Sequence, residues 1–234
     1  MEITDKVERI NQQYLKSAGA SVSASLKSFL KKEPVSDWLI QALFTGPWLE
    51  LGCGQRSLFE EGDDLTFGLQ KKEDLYGFDL SDVAIERAKS HGRLHYQQVD
   101  ISEGIPGGPY SFILDGHFLH CLGSFPELFT TLGHILRALK PGGIYAGEVM
   151  TIHKNISFDS DLYYDYDTHI LYQGDIPIRT LLSAREWEDL FISAGFEISY
   201  FVCQASIKMI PTNHRREPMN GDPECLRFVL KRKL

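Results

Sequence analysis

Three acidic residues, each tied to a short apolar run, mark the chemistry that this sequence can support. Glu50 lies in Trp48-Leu49-Glu50-Leu51-Gly52-Cys53-Gly54, an apolar run entering a glycine turn. Such a turn lets a ligand approach backbone closely, and the carboxyl ends of strands in an open α/β sheet are where ligands bind. Asp79 ends the next run, Gly77-Phe78-Asp79-Leu80-Ser81, and a carboxylate at that place can accept both hydroxyls of a ribose. Together the two features read as a nucleoside site. Asp100, in Val99-Asp100-Ile101, suits an adenine amino group with its apolar neighbour against the ring, or is a solvated turn residue.

These residues need strands to carry them and helices to space the strands. Short apolar runs ending in Gly or Asp, each followed by an amphipathic stretch, predict a parallel sheet. Strands are expected near Trp48 to Leu51, Leu75 to Phe78, Leu94 to Val99, Ser111 to Leu114 and Ile144 to Val149. Two more are expected near Glu197 to Cys203 and Leu226 to Lys231. Leu128, Leu132, Ile135, Leu136 and Leu139 line one helical face, which Lys140-Pro141-Gly142-Gly143 should stop before the fifth strand. Trp187, Leu190, Phe191 and Ala194 line another, closed by Gly195. Ahead of all this, residues 1 to 45 read as helices, with Val7, Ile10 and Tyr14, then Leu26, Phe29 and Leu30, at helical spacing. Ser36 or Asp37 is expected to cap a third helix carrying Trp38, Ala42 and Leu43.

The chain has 234 residues, 43% of them hydrophobic, and a formal net charge of −8. That is enough for one full core and excludes disordered, collagen-like and coiled-coil chains. The acidic balance gives no overall positive field for nucleic acid, so a small-molecule partner is expected. No run of about 18 apolar residues could cross a bilayer, the first residues lack a secretory layout, and Cys53, Cys121, Cys203 and Cys225 form no CxxC pair. A cytoplasmic protein with reduced cysteines is expected.

In order and spacing these segments resemble the class I S-adenosylmethionine-dependent methyltransferases. The resemblance runs from residue 47 to 202 and includes Tyr110-Ser111-Phe112-Ile113-Leu114-Asp115-Gly116-His117-Phe118-Leu119-His120 as the fourth-strand segment, the Leu136-to-Gly143 turn and the Trp187-to-Phe196 helix. It implies a Rossmann-like, doubly wound seven-stranded sheet of order 3-2-1-4-5-7-6 with the last strand antiparallel. It implies a helical lid over 1–45 and a methyltransferase domain over 46–234, with a substrate-recognition insertion near 154–182. It also implies that Glu50, Gly52, Cys53, Gly54, Asp79, Leu80, Asp100 and Ile101 hold S-adenosylmethionine, with Asp115 near its methionine end. Two features depart from the pattern. Arg56 stands where many members have a third glycine, and 25 positions separate Gly54 from Asp79, against roughly 20 in a nucleotide fingerprint, with Glu60 to Asp64 expected to bulge as a loop. A nicotinamide-dependent oxidoreductase is the competing enzyme, but Gly52, Gly54 and Ser57 supply only two of its three glycines. A non-catalytic cofactor-binding subunit is the competing reading from another class.

Methyl transfer is an in-line displacement, so the protein must align a nucleophile, exclude water and remove the acceptor's proton. Candidate groups follow strand four (Asp115, His117, His120, Cys121) and strand five (Glu148, Thr151, His153). With an ordinary pKa of about 6.5, His117 or His120 can act as general base toward an oxygen or nitrogen acceptor. Alternatively Asp115, His117 and His120 could join Glu148 or His153 around a divalent metal, or the histidines could be hydrogen-bonded inside the fold. The run Asp159 to Asp167 mixes four acids with three tyrosines and suits a cationic substrate or a solvated loop. Arg179 and Arg185 could meet an acidic group, and His214-Arg215-Arg216 and Lys231-Arg232-Lys233 read as short surface patches.

Overall fold

The computed structural model describes residues 3–16, 24–43, 46–60, 74–211 and 216–234. Glu61 to Asp64 of the expected loop, and His214 and Arg215, lie outside the described residues.

Trp48 to Leu51 is the centre of the sheet, and it can be because three of its four residues are apolar and all are buried. A strand covered on both faces sends successive side chains to opposite cores. Trp48 joins one hydrophobic cluster and Leu49 and Leu51 join the other. This strand, β1 (Trp48–Leu51), pairs in parallel with β2 (Leu75–Asp79) on one side and β4 (Tyr110–Gly116) on the other, with Trp48 opposite both Leu75 and Phe112. β3 (His95–Gln98) lies outside β2, and β5 (Leu139–Thr151) outside β4, both parallel. β9 (Phe196–Lys208) and β10 (Glu224–Arg232) complete the sheet in the order β3-β2-β1-β4-β5-β10-β9, with β10 antiparallel to both neighbours. This is the expected seven-stranded order.

On one face α5 (Phe125–Ala138) and α6 (Ala184–Ser193) bury Leu128, Leu132, Ile135, Trp187, Leu190 and Phe191. Ser124 caps α5, and Ser183 with Glu186 forms a reciprocal capping box at the start of α6, which fixes where these helices begin. The other face receives α2 (Ala24–Leu30), α3 (Val35–Leu43) and α4 (Asp82–His91), with Leu26, Phe29, Leu39, Ile85 and Ala88 against Trp48 and Phe112. Thus α2 and α3 build the core, and among the described N-terminal helices α1 (Ile3–Lys16) contributes no residue to the hydrophobic clusters. α3 starts at Val35, directly after Pro34, so Ser36 and Asp37 fall inside its first turn rather than at its cap.

Two other boundaries differ from expectation. β5 starts at Leu139, because Lys140 to Gly143 is absorbed as an irregularity between the Tyr110–Leu139 and Phe112–Ile144 pairs, with Gly142 at φ 75°. β9 continues to Lys208. The insertion contains a separate antiparallel sheet of β6 (Leu162–Asp165), β7 (Ile170–Gln173) and β8 (Ile176–Thr180). Its own small core includes Tyr164, Leu171, Ile178 and Leu181 beside Met150. Among the described residues, no helix is long and apolar enough to cross a membrane.

Trp187 has no exposed surface and donates its indole N–H to the Met150 carbonyl at 3.1 Å, tying α6 to β5. Trp187→Ala should therefore cost about 3–5 kcal/mol of stability, read as a lower urea midpoint. A loss under about 1 kcal/mol would place this indole outside the core.

Candidate functional site

The turn after β1 is left-handed at Gly52 (φ 64°) and Gly54 (φ 60°), conformations that cost glycine little. A Cβ at Gly52 would stand 3.1 Å from the Phe118 Cβ, and one at Gly54 3.2 Å from the Tyr14 hydroxyl. Bare backbone therefore faces the space between the strand ends. Beneath the turn, the Cys53 N–H donates to the Phe78 carbonyl at 3.0 Å, and its thiol, raised well above its ordinary pKa by burial, packs toward Gly77. Glu50 is buried behind the turn, where its carboxyl accepts from the Ser57 hydroxyl and the Leu58 N–H (2.7 Å). It fixes the path of the chain beyond Gly54, where Arg56 takes the place of a third glycine.

Asp79 is held as tightly. Its carboxylate accepts from the Gly54 N–H (2.9 Å), the Ser81 N–H (2.9 Å) and the Tyr14 hydroxyl (3.2 Å), while burial raises its pKa. Tyr14 arrives on α1, which is pinned by polar contacts: Asn11 with Asp82 and Ser81, Lys6 with Glu127, and the Tyr14 carbonyl with Arg87 at 2.8 Å. Between α1 and the strand ends lies a cavity of about 840 Å³. Gly52, Asp79, Leu80, Asp100 and Ile101 line it, together with Tyr14, His117, Phe118, Arg9 and Arg179. Asp100 accepts from the Ser102 N–H at 3.0 Å, so it is an ordered wall residue. Phe29, in contrast, packs in the core against Tyr200.

The residues after β4 divide. Asp115 has no exposed surface; it accepts from the Phe118 and Leu119 N–H groups and from the Tyr145 hydroxyl (2.8 Å), and burial raises its pKa to about 6. It positions the turn instead of facing the cavity. His117 lines the cavity from a left-handed backbone (φ 76°), a conformation a non-glycine residue adopts only when its surroundings enforce it. Its Nε2 lies 3.0 Å from Glu148, whose other oxygen accepts from Arg227 (2.7 Å) and Ser25 (2.9 Å). His117 and Arg227 together hold the buried Glu148 carboxylate below its ordinary pKa. His120 is buried behind the wall, accepts from the Met150 N–H at 3.4 Å, and is held neutral by burial and by nearby Arg179.

Several expectations change accordingly. The metal set of Asp115, His117 and His120 is not assembled, because each side chain serves a different partner. Among the described residues no group of three or more His, Cys, Asp or Glu side chains is placed to hold a metal ion. His153 faces the Asp222 carbonyl at 2.9 Å, and Thr151 is buried at the bridge to Leu182. The acid and tyrosine run belongs to the small sheet: Tyr164 donates to the Leu181 carbonyl, Asp165 accepts from the Asp167 N–H, and Tyr163 and Tyr166 point to solvent. Arg216 pairs with Asp159 and Asp222, Lys231 lies over the Trp38 ring, and Arg185 pairs with Asp189 on the surface. Sequence reasoning missed Arg9 and Arg227. A lone arginine in the otherwise apolar stretch Cys225 to Leu230 was the available signal for the second.

A family model described as "Methyltransferase domain" matches residues 15–200. The chain belongs to this methyltransferase family. Solved structures agree in fold. A methyltransferase from Methanosarcina mazei described as S-adenosylmethionine-dependent is 16% identical with a TM-score of 0.64, over 87% of this chain and 99% of that one. The CcbJ methyltransferase of Streptomyces caelestis is 16% identical with a TM-score of 0.60, over the whole of both chains. The DhpI-SAH complex is 14% identical with a TM-score of 0.59, over 99% of this chain and 97% of that one. No curated protein matches the sequence. In this methyltransferase, Gly52, Asp79, Asp100 and His117 share one cavity.

Burial also raises the Glu50 carboxyl from 4.5 to about 8. The folded chain therefore keeps this proton where the unfolded chain has lost it. The stability it contributes is full below about 4.5 and is lost as pH rises through about 8. The melting temperature should fall from about pH 6 to pH 9, and Glu50→Gln should flatten that fall. An unchanged slope in the variant would assign the decline to another group.

Proposed function

We propose that this chain transfers a methyl group from S-adenosylmethionine to an oxygen or nitrogen atom of a small-molecule acceptor, with His117 as general base. The observation that carries the reading is the meeting of Gly52, Asp79, Asp100 and the Glu148-held His117 on one cavity. Family membership and a neighbour solved with SAH support the choice of cofactor. When bound, the cofactor supplies an electrophilic methyl group on a sulfonium sulfur.

The chain's own residues then divide the work. Gly52 and Gly54 present backbone, Asp79 accepts the ribose hydroxyls, and Asp100 meets the adenine amino group with Leu80 and Ile101 beside the ring. Glu50 and Cys53 keep the turn in shape from behind. Asp79 already accepts from three donors, and a carboxylate has about four acceptor sites, so the Tyr14 hydroxyl must give way to the ribose. This makes α1, rather than all of 1–45, the lid. Glu148 is ionised and takes the Nε2–H of His117, which leaves Nδ1 as the basic nitrogen. As the acceptor's oxygen or nitrogen gains the methyl group, its proton passes to that Nδ1. Asp115 and Glu148 are positioning residues that hold His117 in its left-handed conformation and tautomer. The four unpaired cysteines fit a reducing, cytoplasmic setting.

Calorimetric titration with S-adenosylmethionine, S-adenosylhomocysteine and NAD tests the cofactor. Both sulfur nucleosides should bind, NAD should not, and Asp79→Ala should weaken binding by at least about tenfold, because the ribose loses a charged acceptor. Binding left intact by that change would displace Asp79 from the site. For the base, His117→Gln should lower kcat by about 10²–10⁴ while S-adenosylhomocysteine affinity stays within about twofold. An unchanged kcat would exclude His117 from proton transfer, and cofactor binding with no turnover of any acceptor would favour a non-catalytic subunit.

A further inference from the structure

We propose that Arg9 and Arg179 form an anion subsite in the acceptor half of the cavity, so that the methyl acceptor is a small molecule carrying a carboxylate or a similar anionic group. The word acceptor rests on the methyltransferase reading above; the anion subsite itself rests on geometry alone.

Two arginines from distant parts of the chain are brought to one wall. Arg9 comes from α1 and donates Nη1 to the Pro177 carbonyl at 3.0 Å. Arg179 comes from β8 and donates Nη1 to the Ile178 carbonyl at 2.6 Å. Both line the cavity, and in both the Nε atom is buried with no hydrogen-bond partner. Among the described residues neither guanidinium has a carboxylate partner, whereas Lys6 on the same wall is neutralised by Glu127. The two like charges are close enough that Arg179, together with burial, lowers the pKa of Arg9.

A buried donor left unsatisfied and a pair of like charges left uncompensated are both unfavourable in the free protein. One ligand removes both costs. A carboxylate accepts charge-assisted N–H bonds from a guanidinium, and a turn of either side chain toward the ligand would also bring its occluded Nε–H into use. The arrangement is the reverse of the chain as a whole, which carries a net charge of −8. The acidic wall residues Asp79 and Asp100 belong to the nucleoside half, and each already accepts backbone N–H groups. The same lining offers the apolar Phe118, Leu122 and Ile178 beside the polar Gln12, Gln13 and Gln173, and His117 also belongs to it. The fitting ligand therefore has an apolar body with an anionic end held by the arginines and its nucleophilic atom at His117. The small sheet, which lends β8 to the cavity, thus takes part in acceptor choice through Arg179.

Matched probes separate charge from shape. Protein saturated with S-adenosylhomocysteine would be titrated with 4-hydroxybenzoate, with 4-hydroxybenzamide, and with sulfate against chloride at constant ionic strength. The benzoate should bind at least about tenfold more tightly than the amide, and sulfate should give a saturable rise in melting temperature over chloride, beyond the general stabilisation that Arg185→Gln and the Gln variants share. Arg9→Gln and Arg179→Gln should each abolish the benzoate preference and the saturable part of the sulfate effect, with S-adenosylhomocysteine affinity within about twofold. Arg9→Lys and Arg179→Lys, which keep the charge, should retain part of each effect and guard against a folding defect. Arg185→Gln, which removes an exposed charge of the same sign, should behave as the unaltered protein. The proposal is overturned if neither anion binds, or if the preference survives both Gln variants. Failure of S-adenosylhomocysteine to bind would overturn the methyltransferase reading instead, and the sulfate arm without it would still judge the arginine pair.

Discussion

Glu148 has no contact with solvent, and a buried carboxylate is tolerated only when its charge and lone pairs are matched. It stands directly opposite Arg227 across the β5–β10 pair, so the antiparallel register itself delivers the counter-charge. Arg227 in turn reaches both the carbonyl and the hydroxyl of Ser25 and lies over the Phe29 ring, which draws α2 into the same network. The remaining Glu148 oxygen faces His117 at the end of β4. The paired strands β4, β5 and β10 and the helix α2 are thereby joined through one carboxylate, and the group presented to the cavity is the imidazole.

The turn that carries that imidazole is fixed from below. Asp115 accepts the two N–H groups that follow His117, and Tyr145 of β5 caps its remaining lone pairs. This packing is possible because β5 has glycine beside it: a Cβ on Gly147 would stand 2.5 Å from the Asp115 Cβ. The left-handed conformation of His117 is thus a consequence of two buried carboxylates, one gripping the backbone after it and one gripping its ring. Local propensity at His117 would not choose it.

What the sequence made legible follows from what is local. The run Trp48 to Leu51 was legible as a strand because burial on both faces favours apolar character, and the glycine turn and Asp79 were legible as neighbours at the strand ends because both are sequence-near features. The sheet β6-β7-β8 was not legible. Its strands are only four and five residues long, and its acids and exposed tyrosines resemble a solvated loop until Tyr164 and Leu171 find their shared core. The histidines illustrate the same limit. His117 and His120 are three positions apart on a short turn, yet one faces the cavity and the other a backbone N–H behind it. Spacing cannot separate them, because the partners that decide, Glu148 and Met150, are about thirty residues away. Arg9 lies still further from the strand it meets, and its helix gives no hint of a partner.

The two ends of the cavity have opposite character, and α1 touches both. Near its C-terminal end Tyr14 donates to Asp79, and near its middle Arg9 meets the β8 backbone next to Arg179. Its attachments include hydrogen bonds and an ion pair, and two of their partners, Asp79 and Ser81, are buried. α2 and α3, by contrast, bury Leu26, Phe29 and Leu39 under the sheet and cannot leave without opening the core. α1 is thus a helix whose polar contacts reach both Asp79 and the β8 backbone. In the complex proposed above, a ribose at Asp79 and an anion at Arg9 and Arg179 would act on the same helix, and each ligand would then bias the wall that receives the other.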